Sequence, residues 1–102
     1  MSDETKAALP AVEREDGPTG GRYVIRLPAG LEAEMTYRQL GDSTIAIDHT
    51  YTPPEFRGQN IAFRMMERAI ADARREGIKI HPQCSYAVIQ FRRHPEWADL
   101  LA

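Results

Sequence analysis

The chain has 102 residues, which is enough for one domain and too short for two. Its 13 basic and 15 acidic residues give a formal net charge of −2, and 42% of its residues are apolar, so an ordinary hydrophobic core is expected. The near-neutral charge argues against a nucleic-acid or anionic-membrane partner, and no apolar run approaches the roughly 18 to 20 residues that span a bilayer, so we expect a cytoplasmic protein.

The first 21 residues predict a flexible N-terminal tail. They are rich in charge, Ala, Pro and Gly, and they end in the turn-forming sequence DGPTGG. The N-terminus has neither the basic residues nor the apolar centre of a signal peptide, which agrees with a cytoplasmic location. The folded domain is therefore predicted to cover residues 22 to 102.

Three β-strands are predicted after the tail. The run RYVIRLP begins at Arg22, and the run LEAEMTYRQL alternates apolar and polar residues from Leu31 to Arg38. A third run, TIAIDHTYT, begins at Thr44 and ends before two prolines that prevent further pairing. If the third strand alternates strictly, one of its faces carries Ile45, Ile47, His49 and Tyr51. Short turns between the runs indicate an antiparallel meander.

An amphipathic helix is predicted from about Asn60 to the residue before Gly77, which suits a left-handed helix end. Apolar residues recur at helical spacing at Ala62, Met65, Met66, Ala69, Ile70 and Ala73. A charged side, predicted to face solvent, carries Arg64, Glu67, Arg68, Asp72 and Arg75.

A fourth strand and a second helix are predicted in the remainder. The sequence IKIHP, residues 78 to 82, is too short for a helix and predicts a strand parallel to the third, because a helical crossover separates the two. SYAVIQFRRH predicts the second helix, and Trp97 belongs to a last turn. The order β-β-β-α-β-α predicts an α/β (α+β) fold with a twisted, mostly antiparallel sheet of about four strands and one parallel pair.

The segment YTPPEFRGQNIA, between the third strand and the first helix, has features that favour the binding of an anion. The first N–H groups of a helix have no intrahelical partner and point outward with the positive end of the macrodipole. Gly58 leaves room for a phosphate, Arg57 adds a positive charge, and Asn60 either caps the helix or adopts a left-handed conformation. Alone, these residues are compatible with a phosphate site or with an ordinary capped helix.

Together with later motifs, this loop resembles that of the GNAT-type acetyltransferases. There, Arg/Gln-x-x-Gly-x-Gly/Ala joins a strand to a helix and holds the pyrophosphate of acetyl-coenzyme A, and RGQNIA stands in that context. The segments IDHTYTPPEFRGQNIA and IHPQCSYAVIQFRRHPEW resemble the short GNAT-like family of about a hundred residues, over roughly Tyr23 to Leu101. The family carries glycine at the position of Asn60, and asparagine is the mildest replacement because it tolerates the left-handed conformation.

The resemblance implies that the protein binds acetyl-coenzyme A and transfers its acetyl group to an unidentified amine. It implies that the pyrophosphate lies against Arg57, Gly58, Gln59, Asn60, Ile61 and Ala62. It also implies that the third and fourth strands separate at their carboxyl ends to admit the pantetheine, which pairs with the backbone at Thr50 and Tyr51. Two alternative hypotheses are a coenzyme-A-binding module without catalysis and a protein-interaction domain that retains only the fold.

Cys84 is the single cysteine of the chain and lies between the fourth strand and the second helix. A helix N-terminus favours a thiolate, and the resemblance implies that Cys84 lies beside the thioester. There it is either a nucleophile that accepts the acetyl group or an acid that protonates the departing thiolate. Without the resemblance, a lone cysteine is more often a small buried hydrophobe.

The histidines and Tyr86 have less specific contexts. His49 is either a base for the acceptor amine or a histidine at the edge of the core. For Tyr86, a packing role is favoured over the donation of a proton to the coenzyme thiolate. The three histidines and Cys84 do not have metal-ligand spacing, so no metal site is predicted.

Overall fold

In the described part of the chain, the sheet has five strands whose spatial order is the order of the sequence. The computed structural model describes residues 10 to 102. Its strands are β1 (Glu13–Asp16), β2 (Gly20–Arg26), β3 (Glu32–Gly41), β4 (Thr44–Tyr51) and β5 (Lys79–Pro82). Its helices are α1 (Ile61–Glu76) and α2 (Ser85–Arg93), and 3₁₀ turns occupy Pro28–Gly30, Pro54–Phe56 and Pro95–Leu100.

The strands are antiparallel from β1 to β4, and β4 is parallel to β5. Short turns join the antiparallel strands, whereas α1 makes the long crossover that a parallel pair requires. Gly77 adopts the left-handed conformation, with φ of +69°, and ends α1 as predicted. The predicted succession of three strands, helix, strand and helix is confirmed. Within residues 10 to 102, no helix is long and apolar enough to cross a membrane.

The prediction of a flexible tail over residues 1 to 21 is wrong for its second half. Strand β1 pairs antiparallel with β2, and cross-strand ion pairs such as Arg22 with Glu15, at 2.8 Å, take the place of apolar contacts. Gly21 of β2 pairs with Asp16, and a Cβ at Gly21 would lie 2.2 Å from the Glu15 carbonyl oxygen, so the close approach of the two strands requires glycine. Charged residues therefore form the edge strand β1, and glycine allows β2 to approach it. Residues 1 to 9 lie outside the described part of the chain.

One face of the sheet carries the hydrophobic core and both helices. Met35 of β3 and Met65 and Met66 of α1 are fully buried, as their spacing predicts. Ala87 and Phe91 of α2 belong to the same core cluster. Both helices therefore pack on the same face of the sheet.

The opposite face of the sheet, hereafter the outer face, is polar. Val24 and Ala46 are buried on this face but lie outside the core cluster. Charged side chains from neighbouring strands pair above them, as Arg22 does with Glu34 at 3.0 Å. The outer face carries Arg22, Arg26, Glu32, Glu34, Thr36, Arg38, Asp48, His49, Tyr51 and His81. No described helix covers this face.

A β-bulge in β4 changes which side chains face the core. Ile47 and His49 lie opposite consecutive residues of β3, so Asp48 is an extra residue on β4. One extra residue moves every later side chain to the other face of a strand. The prediction that His49 and Tyr51 share a face with Ile45 and Ile47 is therefore wrong, and both side chains are exposed on the outer face.

The prediction that the charged side of α1 faces solvent is wrong at Asp72, whose side chain is 1% exposed. Its carboxylate accepts a hydrogen bond from the Tyr23 hydroxyl at 2.8 Å and others from Arg14, Arg68 and Arg75 at 3.0, 3.2 and 2.5 Å. Burial by itself would raise the pKa of Asp72, but the hydrogen bonds from Tyr23, Arg75 and Arg68 hold it below its usual value. Asp72 and these four donors are called the Asp72 cluster.

Candidate active site

Strands β4 and β5 separate at their carboxyl ends. Their pairing runs from Thr44 opposite Lys79 to Ile47 opposite Pro82, whereas β4 continues to Tyr51. The backbone from residue 48 to 51 therefore forms an edge without a strand partner on the β5 side, within the part of the chain that the structure describes. This gap, hereafter the opening, offers main-chain groups to an extended ligand.

Cys84 lies where the two strands separate. The N–H groups of Gln83 and Cys84 both donate to the carbonyl oxygen of Ile47, at 2.9 and 3.1 Å. These two bonds end the parallel pairing and begin α2, for which Cys84 is the N-cap residue. The thiol is half-buried, and its Sγ lies 3.4 Å from Oγ1 of Thr50. The structure thus brings together Cys84 and Thr50, two of the predicted site residues.

The loop before α1 has the backbone conformation that an anion cradle needs. Gly58 and Asn60 both adopt positive φ, +83° and +60°. The Asn60 side chain does not cap the helix, so the left-handed alternative predicted for it is the one observed. A Cβ at Gly58 would meet nothing within 4 Å, which means that the space beside the loop is open.

The first turn of α1 leaves its N–H groups without carbonyl partners in the helix. The first intrahelical bond joins the Arg64 N–H to the Asn60 carbonyl at 3.1 Å, so the N–H groups of residues 61 to 63 precede it. No acidic residue lies in this first turn. The positive end of the helix is therefore not neutralised by its own first turn.

Arg57 and Gln59 are exposed in this loop. Nε of Arg57 donates to the Thr52 carbonyl at 3.0 Å, which folds the side chain back along the loop. Ile61 is buried and anchors the start of α1 in the core. The loop follows β4 and Cys84 follows β5, so both groups of predicted residues lie beyond the carboxyl ends of the parallel pair, where ligands bind in open α/β sheets.

Tyr86 is the second residue of α2 and is half-buried. Burial, followed by the neighbouring charge of Cys84, raises the pKa of Tyr86 to about 12. The phenol therefore keeps its proton at neutral pH.

A polar group of side chains lies on the outer face at the opening. Asp48, the bulge residue, accepts hydrogen bonds from Thr36 Oγ1 at 2.5 Å and from Arg38 Nε at 3.2 Å. Arg38 also donates to Gln83 Oε1 at 2.8 Å, which links β3 to the residue before Cys84. His49 Nε2 lies 3.6 Å from a carboxylate oxygen of Glu34.

Sequence reasoning missed this group because the bulge that assembles it has no local sequence signal. Alternating strands predict Arg38 and Glu34 only as solvent-facing charges. Among residues 10 to 102, no group of three or more His, Cys, Asp and Glu side chains is placed to hold a metal ion.

Residues 22–100 match the family model of the GCN5-related N-acetyltransferases. The chain belongs to this family. Protein NATD1 of Danio rerio is 27% identical over 81 residues, which cover 76% of this chain and 74% of that protein. Protein NATD1 of Xenopus tropicalis is 30% identical over 63 residues, which cover 62% of this chain and 58% of that protein.

A solved structure agrees with this assignment. The NMR solution structure of a GCN5-like protein from Staphylococcus aureus has a TM-score of 0.68 and 27% identity to this chain. The match covers 88% of this chain and 87% of the other. The predicted family and fold class are thereby confirmed, and the chain is an acetyltransferase by family and fold.

Proposed function

We propose that the protein binds acetyl-coenzyme A across the loop before α1 and the opening between β4 and β5, and transfers the acetyl group to an amine. The observation that carries this proposal is the position of the two parts. The left-handed Gly58–Asn60 loop and the contact between Thr50 and Cys84 lie beyond the carboxyl ends of the same parallel pair.

The loop fits a pyrophosphate in shape and in charge. The N–H groups of Ile61 and Ala62 precede the first helical bond, Gly58 leaves the approach open, and the first turn carries no acid. Arg57 and Gln59 supply further donors at the exposed rim. These residues, with Asn60 setting the backbone direction, would bind and orient the phosphates.

The β4 edge fits the pantetheine. The amides of the pantetheine form hydrogen bonds as a peptide strand does. The backbone at Thr50 and Tyr51, which lies beyond the last β4–β5 pair, is placed to pair with them. A ligand held along this edge would bring its thioester toward Cys84. There the coenzyme supplies an acetyl group on sulfur, and the chain supplies the groups that polarise the carbonyl and protonate the sulfur.

Cys84 has two candidate roles. As a nucleophile it would accept the acetyl group on Sγ before the amine does, and as an acid it would protonate the departing thiolate. The hydroxyl of Thr50, 3.4 Å from Sγ, would orient the thiol in either case. The cytoplasmic location predicted from the sequence is part of this proposal.

The test combines mass spectrometry with turnover. Wild type, Cys84→Ala and Cys84→Ser are incubated with acetyl-coenzyme A, and coenzyme release is followed with a panel of primary amines. A nucleophile predicts an acetyl group on Cys84 in the wild type and loss of turnover in both variants. An acid predicts no acetyl-enzyme and partial activity in Cys84→Ser. Unchanged turnover in both variants would contradict both roles.

A second candidate is coenzyme A binding without catalysis, and the uncovered outer face favours it. No described helix walls the opening on that side, so the acceptor has little concave surface to occupy. Coenzyme release with the amine panel separates the two candidates, because only the enzyme consumes acetyl-coenzyme A. A ligand at 100 times its dissociation constant stabilises its protein by about 2.7 kcal/mol. Absence of any thermal shift with coenzyme A would instead favour a protein-interaction domain.

A further inference from the structure

The root of the opening is the place where β4 and β5 stop pairing. The last pair of the two strands is Ile47 with Pro82. Asp48 is therefore the first residue past the root on the β4 side, and Gln83 is the first past it on the β5 side. The carbonyl oxygen of Ile47 accepts the N–H groups of both Gln83 and Cys84, so Cys84 lies directly beside the root.

One arginine side chain joins the two sides of the opening at its root. Arg38, on β3, donates through Nε to Asp48 at 3.2 Å and through Nη2 to Oε1 of Gln83 at 2.8 Å. Asp48 also accepts a hydrogen bond from the hydroxyl of Thr36 at 2.5 Å, so its carboxylate is fixed to β3. A planar guanidinium keeps its donors in a rigid arrangement. These bonds therefore fix the separation of Asp48 and Gln83 on the outer face.

The contacts of Arg38 add little to the stability of the fold. Its side chain is 53% exposed, and an ion pair at such a site contributes little to the free energy of unfolding. The main-chain bonds to Ile47 already attach the β5 side of the root to β4. What Arg38 adds is a wall on the outer face of the root, where no described helix provides one.

The order of the proposed coenzyme sites gives the direction of the ligand. In the arrangement proposed above, the phosphates bind the loop after β4, the pantetheine pairs at Tyr51 and Thr50, and the thioester lies at Cys84. An acyl group on that sulfur is the next part of the ligand, and the backbone that it meets next along β4 leads to Asp48. The end of the acyl chain is therefore directed at the root, beside the guanidinium of Arg38.

We propose that Arg38 determines which acyl group the opening accepts. Bound to Asp48 and Gln83, its guanidinium closes the root, so that an acetyl group fits and a longer acyl chain does not. This proposal rests on the coenzyme binding proposed above. A butyryl chain would reach the root and require its two sides to move apart, and extra volume in a closed site is unfavourable. Arg38 thus sets specificity as a positioning residue, through Gln83.

The test measures two affinities by isothermal titration. S-ethyl-coenzyme A and S-butyl-coenzyme A are thioethers with the lengths of the acetyl and butyryl compounds, and they cannot transfer a group. We expect the wild type to bind the butyl compound at least about tenfold more weakly than the ethyl compound. Arg38→Met removes the donors but keeps most of the length of the side chain, and it should reduce this ratio to below about threefold.

Arg26→Met is the matched control. Arg26 lies on the same outer face, on β2, and it is an ion-paired arginine of similar exposure, 45%. Because it lies two strands from β4, we expect Arg26→Met to keep the wild-type ratio. A general loss of packing would weaken the binding of both thioethers equally and leave the ratio unchanged.

Two substitutions at Gln83 test whether Arg38 acts through this residue. Gln83→Met removes the acceptor of the bond and should lower the ratio as Arg38→Met does, and the double variant should lower it no further. Gln83→Glu keeps an acceptor oxygen and should keep the wild-type ratio. A wild-type ratio in Gln83→Met would overturn the action through Gln83.

The outcomes separate this proposal from the coenzyme binding on which it rests. A wild-type ratio near one, or equal ratios in Arg38→Met and Arg26→Met, would overturn the role of Arg38 alone. Coenzyme A itself carries no acyl group and should bind the wild type and Arg38→Met with equal affinity. Wild-type protein that binds neither coenzyme A nor the two thioethers would instead overturn coenzyme binding.

Discussion

The Asp72 cluster and the opening between β4 and β5 are both polar, but they differ in how their polar groups are satisfied. The Asp72 carboxylate is 1% exposed and accepts hydrogen bonds from a tyrosine and three arginines of its own chain. At the opening, the β4 edge runs past its parallel partner, and in the loop that follows β4 the first N–H groups of α1 precede the first helical bond.

This difference indicates that the first region contributes to stability and that the second is suited to binding a ligand. A buried charge is tolerated only when it is fully paired, so the Asp72 cluster is a structural device that joins α1 to β1 and β2. Main-chain donors that lack an internal partner at an accessible site are available to a ligand. Substitutions in the first region should therefore change the free energy of unfolding, and substitutions in the second should change coenzyme affinity or chemistry.

The largest expected effect in this comparison is on stability, from Asp72→Ala. Removing the carboxylate leaves the buried Tyr23 hydroxyl without its acceptor and removes ion pairs with the half-buried Arg14 and Arg68. We therefore expect a loss of about 3 kcal/mol in the free energy of unfolding. Urea unfolding measures this loss, and Glu67→Gln, an exposed change on the same helix, should leave the midpoint unaltered. Asp72→Asn, which keeps the shape, should bind coenzyme A like the wild type if folded. Weaker coenzyme A binding in folded Asp72→Asn would contradict the assignment of the Asp72 cluster to stability alone.

A substitution in the loop before α1 should weaken coenzyme A binding. Gly58→Val adds bulk to the phosphate approach and a branched side chain at a φ of +83°, so we expect coenzyme A affinity to fall by about tenfold or more. Gly30→Val is the matched control, because Gly30 has a φ of +75° and open surroundings but lies in the turn after β2. Isothermal titration should find the affinity loss in Gly58→Val alone. Equal affinities in the two variants would contradict the cradle.

A smaller effect is expected inside the opening, at the contact between Thr50 and Cys84. Thr50→Val removes the hydroxyl that lies 3.4 Å from Sγ, and we expect alkylation of Cys84 by iodoacetamide to slow by about fivefold, the equivalent of about 1 kcal/mol. Thr50→Ser keeps the hydroxyl and should react at nearly the wild-type rate. The same rate in all three proteins would show that the contact does not act on the thiol.

The smallest effect concerns the pH dependence of stability. The pKa of Asp72 is lowered in the folded state, so its contribution is present above the usual aspartate pKa and is lost as pH falls through the lower folded value. The difference in unfolding free energy between wild type and Asp72→Asn should therefore narrow as pH falls below about 4. Urea unfolding at a series of pH values measures it. A constant difference would mean that the carboxylate is not the stabilising form.

The same comparison explains what the sequence could predict. Periodicity located the strands from β2 to β5 and both helices, because apolar side chains recur at fixed spacing where an element faces a core. The stop at Gly77 followed from local backbone preferences, and the left-handed conformation of Asn60 is one of the two alternatives that these preferences allowed. The backbone conformation of the loop before α1 could be predicted this far because it depends on neighbouring residues.

Long-range pairing was beyond such reasoning. Strand β1 is held by ion pairs with β2 instead of an apolar pattern, so its sequence resembles a tail. Asp72 is buried because donors from two strands meet it, and nothing within α1 indicates this. The bulge at Asp48 moves the side chain of His49 to the other face of the sheet. A bulge depends on the register between β3 and β4, which the sequence of β4 alone does not indicate.

The central claim is that one ligand, coenzyme A, occupies both the loop and the opening. Amide-resolved NMR titration of the whole chain with coenzyme A tests this claim most directly. We expect the largest shifts at the amides of residues 58 to 62, together with Tyr51 and Cys84, and little change in the Asp72 cluster. Shifts confined to other surfaces, or no saturable shift at these amides, would contradict the claim.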